Sequence, residues 1–430
     1  MIIRARVVVT MDGPPIENGA VVVSGDRIVV VGKFSEIKDL PQASFTSLPG
    51  RGRKASPARA VAAGDGNGGV VDLGEQVLLP GLINAHCHLD YTCLRGKIPP
   101  QKSFADWIRS INAAKAKLSA QDYVASIQTG FAEAKRFGTT TIANLTAFPE
   151  LVSQIEPPIR TWWFAELIDV RNPDRANETA DDAVKELMAQ EHWGLAPHAL
   201  FTASAKLYGR CGEIAERDDV LLTTHLAESR EETSMFRDAS GPLYEFLKEI
   251  GGDMADCGNA TPVECFFDRT TSLRAIEGNR RYLLVHLNEI SSGDFDLLKK
   301  SAPKSPIVHC PRSHEYFGHS PFQFQNLLDA GFNICLGTDS LASNNDLSLF
   351  AEMRAFQKKF SDVAPEKILE MATVNPARAL RQETTLGKIR AGCVADLIAL
   401  PMEKSKSIFE EIIAFDRQAR WSMLGGQVLA

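Results

Sequence analysis

Residues 77–88 read VLLPGLINAHCH, an apolar run that ends in two histidines one residue apart, His86 and His88. Near-continuous apolar text of this length marks a strand buried on both faces, as in a parallel sheet. Side chains two apart on a strand point the same way, so the imidazoles of His86 and His88 share one face. Seven further stretches repeat the pattern of a short apolar run followed by an amphipathic connection: GTTTIANL (138–145), RTWWFAEL (160–167), WGLAPHAL (193–200), VLLTTHLAE (220–228), YLLVHLNEI (282–290), SPIVHCP (305–311) and FNICLGTD (332–339). Eight parallel strands alternating with helices predict an α/β fold, a (β/α)8 barrel of TIM type.

A chain of 430 residues is longer than such a barrel requires and leaves room for a smaller appendage. ARVVVTMDG and GAVVVSGDRIVVVG, in the first forty residues, read as short strands joined by Asp/Gly turns. LGKIRAGCVADLIALP and WSMLGGQVLA return to strand-like text near the other end. The expected division is a small β domain begun by residues 1–78, a barrel over 79–380, and completion of the β domain, as a β-sandwich built from both termini, by 381–430. Residues 41–70, rich in Gly, Pro, Ser, Ala and Arg, read as a flexible surface loop. The fifth connection, about 229–280, is long enough to hold extra helices and cover a site.

Hydrophobic residues at 44% and charged residues at 23% are ordinary globular usage, and a net charge of −7 argues against a nucleic-acid partner. The expected partner is a small-molecule substrate. Eight scattered cysteines without a CxxC pair suit a reducing compartment. The first residues, MIIRARVVVTMDG, lack a long apolar signal core, and no later stretch is apolar and uncharged over the roughly 18 residues a membrane span needs. The expectation is a soluble cytoplasmic protein with no membrane association.

The chemistry is concentrated at strand ends. His86 and His88 close the first strand, His198 ends the fourth, His225 the fifth and His286 the sixth, and Asp339 ends the eighth. In a barrel of this kind the carboxyl ends of the strands converge on one site. An isolated HxH occurs by chance, and any single histidine is more often a hydrogen-bonded core residue than a ligand. Histidines on strand after strand, with an aspartate on the last, point instead to a metal centre. Three imidazoles and one carboxylate (His86, His88, His225, Asp339) would leave a zinc- or iron-type ion one open position for water, the mark of a catalytic rather than a structural site.

The stretches PGLINAHCHLDYTCLRG (80–96), APHALFTAS (196–204), THLAES (224–229), VHLNEI (285–290) and LGTDSLASNNDLSLFAEMR (336–354) resemble the amidohydrolase superfamily, in particular its cytosine deaminase, chlorohydrolase and S-adenosylhomocysteine deaminase branch. The resemblance spans nearly the whole chain. It implies one divalent ion, zinc with iron as the alternative, held by His86, His88, His225 and Asp339. Glu228 and His286 handle protons or orient water in that reading, and Asp339 can accept the water proton. Two-metal branches carry a carboxylated lysine at the end of strand four; here APHA places His198 there, which implies a single ion and gives His198 a substrate contact. Trp107 of SFADWI matches a pocket-wall tryptophan. Nucleoside-deaminating relatives carry a glutamate where this chain has Ala116, which departs from their ribose contact.

The segment HCPRSHEYFGH (309–319) is also unusual, because relatives have an asparagine-containing polar turn there. HCPRS resembles enzymes acting on aminofutalosine-type purine nucleosides, and Arg312 could bind a substrate carboxylate through a bidentate pair. Hydrolytic deamination of an amino-substituted heterocycle, a purine-type base or nucleoside, is thus the expected activity. A chlorohydrolase or cyclic amide hydrolase on the same site is the alternative, and a non-catalytic scaffold is disfavoured because no ligand is missing. The H-x-E and P-C-x-x-C signature of the nucleic-acid-editing zinc deaminases is absent. Homo-oligomers are frequent among the resembling enzymes.

Overall fold

The computed structural model describes residues 1–38, 69–270, 281–403 and 407–429. The eight apolar runs form eight parallel strands in sequence order: β1 (Leu82–His88), β2 (Thr139–Thr146), β3 (Arg160–Leu167), β4 (Trp193–Pro197), β5 (Leu221–Leu226), β6 (Tyr282–His286), β7 (Pro306–His309) and β8, in two pieces (Asn333–Leu336 and Asp339–Ser340). The first piece of β8 pairs with β7, and the second pairs with β1 through Asp339 opposite Cys87 and Ser340 opposite His88, so the sheet closes into a barrel. Every residue of β1 and β2 is buried, as expected of strands covered on both faces.

Two glycines decide local geometry. The opening stretch splits at Gly81: Gln76–Pro80 belongs to a different sheet, and only Leu82–His88 enters the barrel. A Cβ at Gly81 would lie 2.1 Å from the Thr140 hydroxyl, so only glycine lets the chain pass β2 at the crossing. Gly337 separates the pieces of β8; a Cβ there would meet the His86 carbonyl oxygen at 2.8 Å. That close approach lets the next residue, Thr338, donate its backbone N–H to the His86 carbonyl at 3.0 Å.

Both ends of the chain build two smaller sheets. One orders strands Arg27–Lys33, Gly19–Ser24, Ile2–Arg4 and Val70–Asp72; the other orders Gln427–Leu429, Trp421–Leu424, Leu397–Pro401, Gln76–Pro80, Val7–Val8 and Ile16–Glu17. Ile3, Val8, Val21, Ile28, Leu78, Leu397 and Met423 share one apolar cluster across them. Period-two alternation gives Leu397–Pro401 two apolar faces: Leu397 and Ala399 join that cluster, while Ile398 and Leu400 join the barrel's. Most of the 41–70 loop reading, residues 41–68, lies outside the described residues.

Helices set the site's walls. Helix α1 (Phe104–Lys115) follows β1 and is capped by Ser103, whose hydroxyl accepts from the Asp106 N–H. The fifth connection holds α2 (Arg230–Asp238), α3 (Pro242–Glu249) and α4 (Pro262–Arg269). Helices α5 (Pro311–Phe317) and α6 (Leu349–Lys359) follow β7 and β8, and α7 is Pro365–Glu370. Helix α8 (Ile408–Ala414) packs against α6 and α7, with Ile412 and Ile413 in the barrel's apolar cluster. The segment after 381 therefore serves the barrel as well as the small sheets. Among the described residues no helix is long and apolar enough to cross a membrane, and all eight cysteines are free thiols.

Candidate metal centre and active site

The strand-end residues converge. Asn84, His86 and His88 project from one face of β1, and Asn84 Nδ2 fastens that face to β8 by donating to Thr338 Oγ1 at 2.8 Å. His88 Nε2 lies 3.3 Å from His225 Nε2. Asp339 Oδ1 stands 3.7 Å from His86 Nε2 and 3.8 Å from His88 Nε2. His86, His225 and His286 form one group with ligand atoms all within 4.8 Å of one another, and His86, His88 and Asp339 form another.

These donor atoms fit a metal ion. Both ring nitrogens of His86 and Nε2 of His286 are buried without a hydrogen-bond partner, an arrangement that buried polar groups seldom tolerate unless something else satisfies them. His225 contacts the backbone carbonyl of His198 through Nδ1 at 2.9 Å, which fixes the tautomer carrying that proton and leaves Nε2 unprotonated toward the centre. Burial pushes the pKa of His225 down to about 4 and that of His198 to about 3, and pushes His88 and His286 well below the usual range. Neutral imidazoles are the ligating form.

The two carboxyls beside them are pushed apart. Burial raises the Glu228 carboxyl well above its ordinary value, and the charges of Asp339 and Glu232 add to the effect. At Asp339 burial also opposes charge, but contact with His86 and the influence of His286, His86 and His88 outweigh it and hold the carboxyl well below the usual range. Opposed shifts in neighbouring carboxyls separate a proton donor from a proton acceptor. Glu228 Oε1 is 3.6 Å from His286 Nε2, and buried Glu232 holds the Glu228 backbone by accepting its N–H at 2.7 Å. Ala227, His286, Leu287 and Asp339 all have φ between +49° and +77°. Left-handed backbone costs a side-chain-bearing residue about 1 kcal/mol or more, and such strain concentrates at functional sites.

A cavity of about 680 Å³ opens onto this group. His88, His198, His225, Glu228, His286 and Asp339 line its floor, while Phe104, Trp107, Ile111, Phe201 and Phe246 form apolar walls. Phe246 comes from α3, so the fifth connection does cover the site. Trp107 both lines the cavity and packs within its helix, stacked on Phe104 at 6.0 Å. Ala116 lies on the same wall.

Arg312 does not join this group. It is absent from the cavity lining, and its guanidinium donates to Asp346 Oδ1 at 2.6 Å. One nitrogen of the guanidinium, Nη1, is thus engaged by a carboxylate of this chain, and the side chain stands outside the cavity that the substrate-contact reading assigned it to. His309 and His314 also lie outside the cavity: His309 stacks on Phe322 at 4.0 Å, and His314 Nε2 contacts the Ser320 carbonyl at 2.8 Å.

The structure adds residues that sequence reasoning passed over. Glu166, ending β3, points Oε1 at His88 Nδ1 (3.4 Å) and His198 Nε2 (3.7 Å) and lines the cavity. Its only local mark is a lone acid at the end of an apolar strand; the histidines that give it meaning stand on other strands. Ser313 donates to Asp339 Oδ2 at 2.6 Å, and no local pattern marks a serine for that role.

Comparison with known proteins agrees with this geometry. The chain is 28% identical over 461 aligned positions to a 5-methylthioadenosine/S-adenosylhomocysteine deaminase of Nitratidesulfovibrio vulgaris, covering 100% of this chain and 91% of that one. It is 28% identical over 424 positions to a 5'-deoxyadenosine deaminase of Methanococcoides burtonii, covering 94% and 85%. Among solved structures, Helicobacter pylori aminofutalosine deaminase in complex with methylthio-coformycin superimposes with a TM-score of 0.83 at 21% identity over 100% of both chains. A Xanthomonas campestris adenosine deaminase with bound zinc does so with a TM-score of 0.75 at 23% identity over 99% and 92%. The Amidohydrolase family profile matches residues 77–421, from the strand before Gly81 to the end-of-chain sheet, and with the histidine and aspartate group at the barrel mouth it makes this chain a member of the amidohydrolase family, a hydrolase of carbon–nitrogen bonds.

Proposed function

We propose that the protein hydrolytically deaminates the 6-amino group of an adenine-type nucleoside, using one divalent metal ion, zinc, held by His86, His88, His225 and Asp339. The carrying observation is the convergence of His86, His88, His225 and Asp339, with Glu228 Oε1 3.6 Å from His286 Nε2 beside them, at the floor of an apolar-walled cavity. When bound, the ion supplies Lewis-acid activation of water near neutral pH.

The chain's own groups do the rest. Trp107, Phe104 and Ile111 hold the heterocycle and exclude bulk water. Glu228 delivers its carboxyl proton to a ring nitrogen, which makes the carbon bearing the amino group electrophilic. Asp339 Oδ1 accepts a proton from the attacking water, and His286 Nε2 orients that water. Proton return to the departing amine releases ammonia. His198 Nε2 and Glu166 Oε1, 3.7 Å apart on the cavity wall, contact the substrate's polar edge. The names of the similar enzymes support an adenosine-type substrate with a modified 5' position.

Ammonia release from adenosine, 5'-deoxyadenosine, 5'-methylthioadenosine, S-adenosylhomocysteine and aminofutalosine by zinc-loaded protein tests this reading. A preference of at least tenfold for one nucleoside over free adenine is expected. Turnover of a chlorotriazine or a cyclic amide with no ammonia from any nucleoside would overturn it.

A further inference from the structure

Asp339 carries two oxygens with separate tasks. Oδ1 faces His86 and His88. Oδ2 points away and is met by two hydroxyls: Ser313 Oγ at 2.6 Å and Ser343 Oγ at 3.2 Å, which lie 3.0 Å from each other. Each serine has one proton to give. Ser343 has competing acceptors in the Ser340 carbonyl (3.3 Å) and in Ser313 Oγ, whereas Ser313 has its short contact to Asp339. Ser313 is therefore the principal donor, and its hydroxyl is buried with the carboxylate.

The two serines come from different connections, after β7 and after β8, so something must hold these segments in register. Glu352 of α6, fully buried, does so. It accepts the Arg312 backbone N–H at 3.0 Å through Oε2 and the Asn344 side-chain N–H at 2.6 Å through Oε1. These partners each adjoin one of the serines in sequence. Arg312 adds a second tie through Asp346, and Asn344 Nδ2 also reaches the Thr338 carbonyl at 2.7 Å, next to Asp339.

We propose that Ser313 is a positioning residue for Asp339, and that the Arg312, Asn344 and Glu352 bracket exists to set its hydroxyl against Oδ2 so that Oδ1 faces the metal centre. This assigns the HCPRS segment an orienting role beside the centre instead of substrate recognition. Asp339 occupies a left-handed backbone conformation, with φ of +55°, so its carboxylate direction depends on such external contacts. The proposal rests on the metal-dependent reading given above. Partners of this kind change metal affinity or activity by about 10- to 100-fold.

The test compares the parent with S313A and S313T by zinc competition against a chelator and by steady-state kinetics on the nucleoside the parent deaminates. S313A is expected to lose zinc at about tenfold lower chelator concentration and to lower kcat about tenfold or more with KM within about twofold. S313T, which restores the hydroxyl, is expected to recover both to within about threefold. Parent-like zinc retention and kcat in S313A, or S313T as impaired as S313A, would overturn the proposal. Should S313A fail to fold, the near-isosteric S313C, a weak donor, carries the test: an intermediate loss supports it and parent-like behaviour sinks it. If the parent releases ammonia from no nucleoside, the deaminase reading falls, while zinc retention still decides the role of Ser313.

Discussion

Two crowds of histidines lie close together at the barrel mouth. His86, His88, His225 and His286 converge around Asp339 at the cavity floor. His309, His314 and His319 crowd the segment after β7, with ring centroids 5.2 and 5.6 Å apart. Burial lowers the pKa in both, to about 4 at His225 and about 3 at His319. The difference is what the nitrogens face. In the first crowd ring nitrogens of different strands lie 3.3–3.8 Å from one another and from the Asp339 carboxylate. In the second the His309 ring lies flat on Phe322 with Nδ1 buried and unpartnered, and His314 Nε2 meets the Ser320 carbonyl. Burial and neighbour charge thus do not distinguish a ligand from a packing residue, whereas a shared focus does.

The largest effect should come from removing a member of the first crowd. His88→Ala or Asp339→Ala is expected to abolish ammonia release and to lower zinc content measured by elemental analysis. Full activity in either variant would erase the proposed distinction. Next, Glu228→Gln keeps the shape but removes the transferable proton, so kcat should fall about 10²- to 10⁴-fold while zinc content stays at the parent level.

Acid sensitivity is a property the two crowds should share. An unfolded histidine binds its proton near pH 6.5, whereas folded His225 does so only near 4 and folded His319 near 3. Between those values the unfolded state holds more protons on each of these rings, so their contribution to stability falls as the pH falls. The slope is at most about 1.4 kcal/mol per pH unit for each histidine. Asp90 and Glu232, whose burial raises their carboxyls to about 7, act with the opposite sign in this window, so the test is made on the rings themselves. In metal-free folded protein the NMR signals of His225 and His319 should remain those of neutral imidazole at pH 5, and titration near 6.5 would contradict the buried neutral state. Zinc should raise Tm at pH 7 in the parent and in His309→Leu alike. Smallest of all, His309→Leu should change kcat by less than about twofold and stability by about 1 kcal/mol, because it exchanges one packed ring for an apolar group. A large loss of zinc in that variant would merge the two crowds into one site.

The eight strands were legible because each is an uninterrupted apolar run, and their polar ends were legible because strand period two and barrel convergence are local and general rules. The boundary at Gly81 was not, since the reason for it is a Thr140 hydroxyl on the next strand. Glu166 was hidden because its partners, His88 and His198, belong to other strands. The Arg312–Asp346 contact was hidden for the same reason: a free guanidinium and one paired with Asp346 look identical in sequence, and 34 positions separate the pair.

Sequence alone determined the barrel and the strand-end histidines and aspartate that could hold a metal at its mouth, because these follow from hydrophobic periodicity and ligand chemistry, which are written residue by residue. Only the tertiary structure decided which nitrogens remain unpartnered, that burial pushes the Glu228 carboxyl up while its surroundings hold Asp339 down, and that Ser313 stands behind Asp339. These depend on distance and burial among groups far apart in the chain, and electrostatic and hydrogen-bond energies are set by that separation, not by residue type.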